Sequence, residues 1–199
     1  MKKSTIILLI LGAFVLVVFM SVRNSYNKMV RMDEAVSGQW AQVENVYQRR
    51  ADLIPNLVAT VKGYASHERE TLEAVINARS KASQLTVDPS KLDPAALQNF
   101  EQAQGELTSA LGRLMVVIER YPDLKANQNF ITLQTQLEGT ENRITIERQK
   151  FNESAKAFNT YIRTFPQNIY ANMFSFERKM YFEAVSGAET APLIDFKND

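Results

Sequence analysis

The fold is decided by residues 29–64, MVRMDEAVSGQWAQVENVYQRRADLIPNLVATVKGY, in which apolar side chains recur at helical spacing. They form two interleaved series with a seven-residue repeat, and this repeat places both series on one face of a helix. Such a seam, typical of coiled coils, predicts a long helix that packs lengthwise against other helices. The series are Met29, Val36, Val43, Leu57 and Tyr64, and Trp40, Tyr47, Ile54 and Val61.

Three residues interrupt this apolar seam. Arg50 occupies a seam position in the first series, and Asp33 occupies one in the second. Pro55 lies within the run and has no backbone N–H to donate, so we expect a kink near Asp52. Beyond the proline the apolar spacing continues, and it predicts a first helix over residues 24–84.

Upstream of the seam, residues 4–22 contain no charged side chain. At about 1.5 Å per residue, a helix over this run is roughly 28 Å long, close to the ~30 Å hydrocarbon core of a bilayer. The alternative is a cleaved signal peptide, but the run is long for one and lacks a following small-residue cleavage site. We therefore expect a single-pass anchor in the cell membrane, with residues 4–22 in contact with lipid.

The positive charges that flank the anchor bear on its orientation. Two lysines precede it, and Arg23, Lys28 and Arg31 follow it, so the positive-inside rule is nearly balanced. A short basic N-terminal tail is typical of a signal anchor whose tail stays in the cytoplasm. We therefore expect the body on the outer side of the membrane, either periplasmic or extracellular.

Two more long helices are predicted downstream of the seam. Asp93 and Pro94 are typical of an N-cap and of the first residue of a helix, and this second helix is expected to end before Pro122. A third helix is expected from near Ala126 to Pro166. Its buried stripe is expected to contain Phe130, Leu133, Leu137, Ile144, Phe151, Phe158, Ile162 and Phe165.

The order of these helices predicts how they pack, because short connections make consecutive helices antiparallel. The sequence therefore predicts an all-α fold, with an N-terminal transmembrane helix followed by an up-and-down antiparallel helical bundle with long helices. We assign residues 1–23 to the anchor, 24–190 to the bundle and 191–199 to an extended tail. A short fourth helix is expected within residues 168–182.

The composition excludes several classes of function. The 199 residues include no cysteine and one histidine, His67, so neither a thiolate site nor a multi-histidine metal site is available. The glycines are isolated and form no phosphate-binding loop. Without Lys2, Lys3 and Arg23, 20 bases face 22 acids, which gives no basic surplus for nucleic acid. We predict no catalytic residue, no cofactor, no metal and no nucleic-acid partner.

Residues 49–58, RRADLIPNLV, form an unusual run. With shorter segments spread over nearly the whole chain, this run resembles the LemA family of bacterial membrane proteins. The resemblance implies a membrane-anchored helical bundle of the cell envelope with no known enzymatic activity, and an occasional association with membrane proteases and envelope-stress genes. The shorter segments are Tyr26-Asn27, Trp40, Tyr64-Ala65, His67-Glu68, Glu119–Leu124, Glu141–Ile144, Arg148, Phe151-Asn152, Phe158-Asn159 and Phe165-Pro166.

Polar residues on the predicted helix faces are candidates for a buried polar network. An unpaired Arg50 on the seam would cost several kcal/mol, so we expect a carboxylate to approach it. Asn152 and Asn159 are expected to hydrogen-bond a neighbouring helix, whereas the lone His67 is expected to be solvated. The carboxylate candidates for Arg50 are Asp52, Glu141 and Glu147. The complete set of network candidates is Arg50, Asp52, Glu141, Asn142, Glu147, Arg148, Asn152 and Asn159.

The stripe formed by the first half of the seam needs a cover. The second helix is only roughly 37 Å long against roughly 90 Å for the first, so it cannot cover the whole seam. Such a stripe is rarely exposed to water, and we expect other copies of the chain to cover it in a homo-oligomer. The interface candidates are Met29, Val36, Trp40, Val43 and Tyr47. In the competing explanation the aromatics Phe174, Phe176, Tyr181 and Phe182 fold back over this stripe.

Two classes of function fit these features. In the first, which we favour, the chain is a non-enzymatic scaffold or adaptor that self-associates and binds membrane proteins such as proteases. In the second, it is a membrane-tethered sensor or solute-binding bundle whose polar core around Arg50 captures a small anion. An enzyme would require a cleft with clustered Asp, Glu and Arg side chains.

Overall fold

The computed structural model describes residues 3–88 and 93–183. Helices joined by short turns make up these two ranges, which contain no strand, so the all-α prediction is confirmed. The predicted tail over residues 191–199 lies outside the described residues. The helices are α1 (Lys3–Tyr64), α2 (Arg69–Gln84), α3 (Pro94–Ile118), α4 (Pro122–Lys125), α5 (Gln128–Arg163) and α6 (Gln167–Met173).

α1 joins the apolar run and the seam in one helix of 62 residues. The apolar window near its N-terminus is long enough to cross a membrane, and none of that window is buried inside the protein. Side chains such as Leu9 and Phe14 are 60% and 65% exposed, which is favourable in lipid and unfavourable in water. This arrangement agrees with a membrane-associated protein.

The first long helix ends sooner than the sequence predicted. α1 stops at Tyr64, and residues 65–68 reverse the chain before α2 begins at Arg69. α2 then lies antiparallel to α1, so that Arg79 reaches the backbone of Ala51. The prediction of one helix over residues 24–84 was wrong, because apolar spacing reveals a helical face but not a reversal of direction.

The bundle has a distal core, far from the apolar run, and a proximal core nearer to it. In the distal core α1, α2, α3 and α5 pack together, and Ile54, Leu72 and Leu107 are among its buried residues. The proximal core lies between α1, α5, the first turns of α3 and the residues that follow α6. α5 joins the two cores, from Phe130 in the distal one to Ile162 in the proximal one.

The start of α3 agrees with its predicted capping residues, and α5 has a cap of the same kind that was not predicted. α3 begins at Pro94, and the Asp93 side chain accepts a hydrogen bond of 3.2 Å from the backbone N–H of Ala95. α5 begins at Gln128, where the side chain of Asn127 accepts two backbone N–H groups of the first turn. Both caps satisfy donors that a helix start leaves without a partner.

α5 contains the buried stripe predicted for the third helix, with one exception. Six of the predicted residues are buried and Leu133 is half-buried. Phe165 is instead 81% exposed, because α5 ends at Arg163 and the chain turns at Pro166. The prediction that Phe165 belongs to the buried stripe was therefore wrong.

The short helix predicted within residues 168–182 corresponds to α6, which is shorter than that range and ends at Met173. Ser175 has a φ of 57°, and the following backbone N–H, of Phe176, donates to the carbonyl of Ala171 at 2.9 Å. This is a Schellman-type end, in which a residue with positive φ turns the chain out of the helix. Residues 176–183, named here the C-terminal segment, follow this turn and have no regular secondary structure.

α1 remains helical through Pro55 because another helix replaces the missing hydrogen bond. A proline leaves the carbonyl four residues earlier, here that of Ala51, without its helical donor. The Arg79 Nε donates to this carbonyl at 2.7 Å. One residue of α2 thus satisfies the group that the proline leaves unsatisfied.

Removing this donor should therefore destabilise the distal half of the bundle. We expect Arg79→Ala to lower the free energy of unfolding by about 1 to 3 kcal/mol, the range for a buried polar group left without a partner. Arg69→Ala is the matched control on the same helix, because the Arg69 side chain is 86% exposed. Chemical denaturation of both variants in detergent checks this, and equal effects would contradict it.

Candidate functional site

The proximal core is built around Trp40. The indole is fully buried, and its ring centroid lies 5.5 Å from that of Phe100 and 5.5 Å from that of Phe151. The ring of Phe182, in the C-terminal segment, stacks on the indole at 5.6 Å with an angle of 10° between the planes. The C-terminal segment therefore supplies one wall of this aromatic cluster.

The predicted interface stripe belongs to the core of the chain itself. Four of its five residues have no exposed area and the fifth, Tyr47, is 6% exposed. The interface assignment was wrong because α5, with 36 residues, runs along α1 and covers what the shorter α3 leaves open. The competing explanation, in which C-terminal aromatics fold back, describes the remaining cover. The stripe residues are Met29, Val36, Trp40, Val43 and Tyr47.

Two asparagines of α5 hold the backbone of the C-terminal segment. Asn159 accepts from the backbone N–H of Lys179 at 2.8 Å and donates to its carbonyl at 2.8 Å. Asn152 does the same with Phe182, at 2.8 Å and 2.9 Å. Each side-chain amide thus replaces the partners that a neighbouring strand would supply. The sequence predicted hydrogen bonds from both asparagines but assigned them wrongly to a neighbouring helix.

The spacing of these contacts defines the conformation of the segment. The two asparagines lie seven residues apart on α5, which is about 10.5 Å along a helix. Lys179 and Phe182 are three residues apart, and three residues span about 10 Å only when the chain is extended. The segment therefore lies extended along α5 and runs in the opposite direction, because its earlier residue pairs with the later asparagine.

Charged side chains also hold the segment, at Lys179 and at Glu183. The Lys179 Nζ lies 2.7 Å from the Asp33 carboxylate, and Lys179 is 8% exposed. Arg148 donates to the Glu183 carbonyl at 2.9 Å and pairs with Glu101 at 2.8 Å. Burial raises the pKa of the Glu101 carboxyl, although the positive charge of Arg148 opposes this shift. We name this site the groove, defined by Asp33, Trp40, Arg148, Asn152 and Asn159.

Arg50 forms a second buried polar site, in the middle of the bundle. Its side chain is 3% exposed, and Nη1 donates to Glu141 at 2.9 Å and to Thr108 at 3.1 Å. Nη2 donates to the side chain of Gln104. The expected approach of a carboxylate to Arg50 is thus present, and Glu141 is that carboxylate.

The other candidates for the Arg50 network lie elsewhere. Asp52 is exposed and accepts from Gln48 one turn earlier, so its assignment was wrong. Glu147 accepts from Gln39 and Lys150, and the hydrogen bond from Lys150 lowers the pKa of the Glu147 carboxyl. Asn142 is exposed on α5, beside Glu141 but on another face of the helix. These three residues are therefore not part of a buried network with Arg50.

Several residues of both sites were not predicted, although the sequence holds some signals. Gln104 interrupts the apolar spacing of α3, between Phe100 and Leu107, just as Asp33 interrupts that of the seam. A polar residue at an apolar position indicates a buried partner. Nothing in the sequence marks Lys179 as the partner of Asp33, because the two are far apart in the chain.

The described residues hold no cluster of three or more His, Cys, Asp or Glu side chains that could bind a metal ion. His67 is exposed in the turn between α1 and α2. The groove and the Arg50 site are the places in the described part of the chain that contain the buried polar side chains Asn159, Lys179, Arg50 and Gln104. Only the groove holds a segment of polypeptide.

Comparison with known proteins finds relatives that are similar to most of this chain. The magnetosome protein MamQ 2 of Paramagnetospirillum magneticum is 28% identical over 190 residues, covering 85% of this chain and 68% of that protein. MamQ of Magnetospirillum gryphiswaldense is 29% identical over 190 residues, with the same coverage. Protein LemA of Metamycoplasma hominis is 27% identical over 158 residues, covering 79% of this chain and 68% of that protein.

The comparison with protein families agrees with these relatives. The model of the LemA family matches residues 39–196, which include the RRADLIPNLV run, the asparagines of α5 and the C-terminal segment. The match covers well over half of the chain. This chain therefore belongs to the LemA family.

Proposed function

We propose that this protein is a non-enzymatic, membrane-anchored adaptor whose groove binds extended segments of partner proteins. The observation that supports this most directly is the pair of bidentate contacts from Asn152 and Asn159 to a peptide backbone. Backbone groups are common to all polypeptides, so such contacts give affinity for an extended chain of almost any sequence. Extended peptides are bound in this way wherever main-chain hydrogen bonds supply affinity and pockets supply specificity.

Two pockets flank the backbone contacts and define the preferred partner. Trp40 stacks on an aromatic ring, here that of Phe182, and Asp33 forms an ion pair with a basic side chain, here Lys179. The two occupants are three residues apart. The preferred partner segment is therefore extended, with a base followed three residues later by an aromatic residue.

The groove lies above the membrane surface, within reach of the parts of membrane proteins that extend from it. Trp40 follows the end of the apolar run, at Val22, by 18 residues, which is about 27 Å of α1. Loops and tails of membrane proteins, including a second copy of this chain, are available at that height. The chain's own C-terminal segment competes with them, because a short tether gives it an effective concentration of about the millimolar order.

A peptide with the sequence of residues 176–183 tests the proposal. We expect it to bind the Phe182→Ala variant in detergent more tightly than the wild type, because the variant's own segment has lost its aromatic anchor. The chain has one tryptophan, Trp40, so its fluorescence reports occupation of the pocket directly. Phe165→Ala is the matched control, since Phe165 is 81% exposed and outside the groove.

Comparing variants distinguishes a groove that binds partner peptides from one in which the C-terminal segment only stabilises the fold. Adding Asn152→Ala and Asn159→Ala to the Phe182→Ala variant should abolish peptide binding if the groove recognises backbones. If the Phe182→Ala variant is destabilised but changes neither its fluorescence nor its affinity on addition of peptide, the segment only stabilises the fold. That result would overturn the adaptor proposal.

The alternative of an anion-binding bundle loses its support at Arg50. A captured anion would have to compete with Glu141, which already supplies the opposite charge at 2.9 Å. Gln104 and Thr108 accept one further hydrogen bond each from the Nη atoms, and the buried Nε has no partner among the described residues. The geometry at Arg50 is that of a structural ion pair.

A further inference from the structure

The corner between α5 and α6 presents an exposed apolar face. Phe165, Ile169 and Met173 are 81%, 51% and 59% exposed. They are spaced four residues apart, which places Ile169 and Met173 on one face of α6 and Phe165 next to its start. Three large apolar side chains together on one exposed corner indicate a contact with something other than water.

Contacts between α6 and α1 fix the height of this corner relative to the apolar run. The Tyr170 Oη lies 3.4 Å from the Ser21 Oγ, and Ser21 lies at the end of the apolar run. Higher up, the ring centroids of Tyr26 and Phe174 are 4.8 Å apart. These contacts lie within about 9 Å of the end of the run, whereas the headgroup layer of one leaflet is about 5 to 7 Å thick. The corner therefore lies at headgroup height when the run spans a bilayer.

Bases outnumber acids around the corner. Residues 21–32 contain three bases and no acid, and residues 160–176 contain one base and no acid. The first acids after these two ranges are Asp33 and Glu177. A cleft of about 420 Å³ opens between the two segments, and Lys28 and Arg31 line it beside Gln167. Because the whole chain has a net charge of only +1, these bases are concentrated at this end of the bundle.

We infer that the α5–α6 corner is a second membrane contact, which inserts Phe165, Ile169 and Met173 into the interface of an anionic bilayer. Apolar side chains next to bases are typical of surfaces that lie in the plane of the headgroups. Lys28 and Arg31 lie about 9 and 14 Å beyond the apolar run along α1, within about a Debye length of the headgroup layer, so their positive charge attracts the lipid phosphates. The inference rests on the membrane span of α1 and is independent of the groove.

Single labelling sites test this contact in the full chain. The chain has no cysteine, so Phe165→Cys creates a unique site for an environment-sensitive NBD label. In phosphatidylcholine vesicles containing phosphatidylglycerol, we expect blue-shifted emission, loss of quenching by aqueous iodide and quenching by doxyl-labelled lipid. Replacing Lys28 and Arg31 by glutamine, or omitting phosphatidylglycerol, should partly restore iodide quenching.

Two further sites serve as controls. Val116→Cys places the label on α3 at an apolar side chain that is 72% exposed, far from the membrane, and it should stay fully accessible to iodide. Phe14→Cys reports the span and should be quenched by doxyl lipid. The inference is overturned if the label at 165 is as accessible as that at 116, or if the label at 14 stays in water. Protection from iodide without doxyl quenching would overturn it in favour of a protein partner.

Discussion

Replacing Asn152 and Asn159 together by alanine is expected to release the C-terminal segment from the groove and to lower the free energy of unfolding by about 2 to 6 kcal/mol, at about 1 to 3 kcal/mol for each of the two asparagine sites. Each substitution removes two hydrogen bonds to the backbone of the segment. Asn159 is the more buried of the two, at 2% exposed, so its single variant should have the larger effect.

Limited digestion with trypsin measures the release directly. Lys179 is 8% exposed in the folded chain, and its cleavage site should become accessible in the double variant while the bundle remains helical. Asn142→Ala is the matched control, because Asn142 lies on the same helix with an exposed side chain. Equal protection of Lys179 in the double variant and the control would show that the asparagines do not hold the segment.

Replacing Arg50 by alanine is expected to lower the free energy of unfolding by about 2 to 5 kcal/mol, the range for truncating a large buried side chain to alanine. The substitution leaves a cavity, and the buried Gln104 loses the donor to its side-chain oxygen. Arg49→Ala is the matched control, because the adjacent Arg49 is exposed. Thermal and chemical denaturation in detergent give both values.

The two partners of this ion pair should respond differently to removal. Arg50→Leu keeps an apolar side chain at a seam position, and Glu141, whose side chain is 52% exposed, can be solvated again. Glu141→Ala instead leaves a buried guanidinium that cannot lose its proton. Arg50→Leu should therefore be tolerated better than Glu141→Ala. The reverse order would mean that the contacts of Arg50 with Gln104 and Thr108 outweigh the ion pair.

Local rules predicted much of this fold correctly. Asp93 and Pro94 start α3 because capping depends on a few neighbouring residues. The apolar stripe of α5 was predicted up to Ile162 because burial on a helix follows its periodicity. A carboxylate was expected near Arg50 because a buried charge without an opposite charge nearby is strongly destabilising.

The errors concern relations between distant parts of the chain. The apolar spacing stops at Ala65 and resumes at Leu72, and the polar residues 66–71 between them were read as part of one helix although they contain the reversal into α2. The stripe around Trp40 was assigned to other copies because its cover was sought in α3 and not in α5. The partners of Asn152 and Asn159 depend on how α6 ends, which is determined by the backbone around Ser175.

Because α1 is continuous, any tilt of its membrane span also moves the body of the protein. From Met20 to Tyr64 the helix extends by 44 residues, or about 66 Å, without a break at Pro55. Spans change their tilt when the thickness of the bilayer changes, and each 10° of tilt would move the far end of such a rod by roughly 11 Å. Variations in bilayer thickness are thereby converted into lateral displacement of the turn between α1 and α2, far above the lipid.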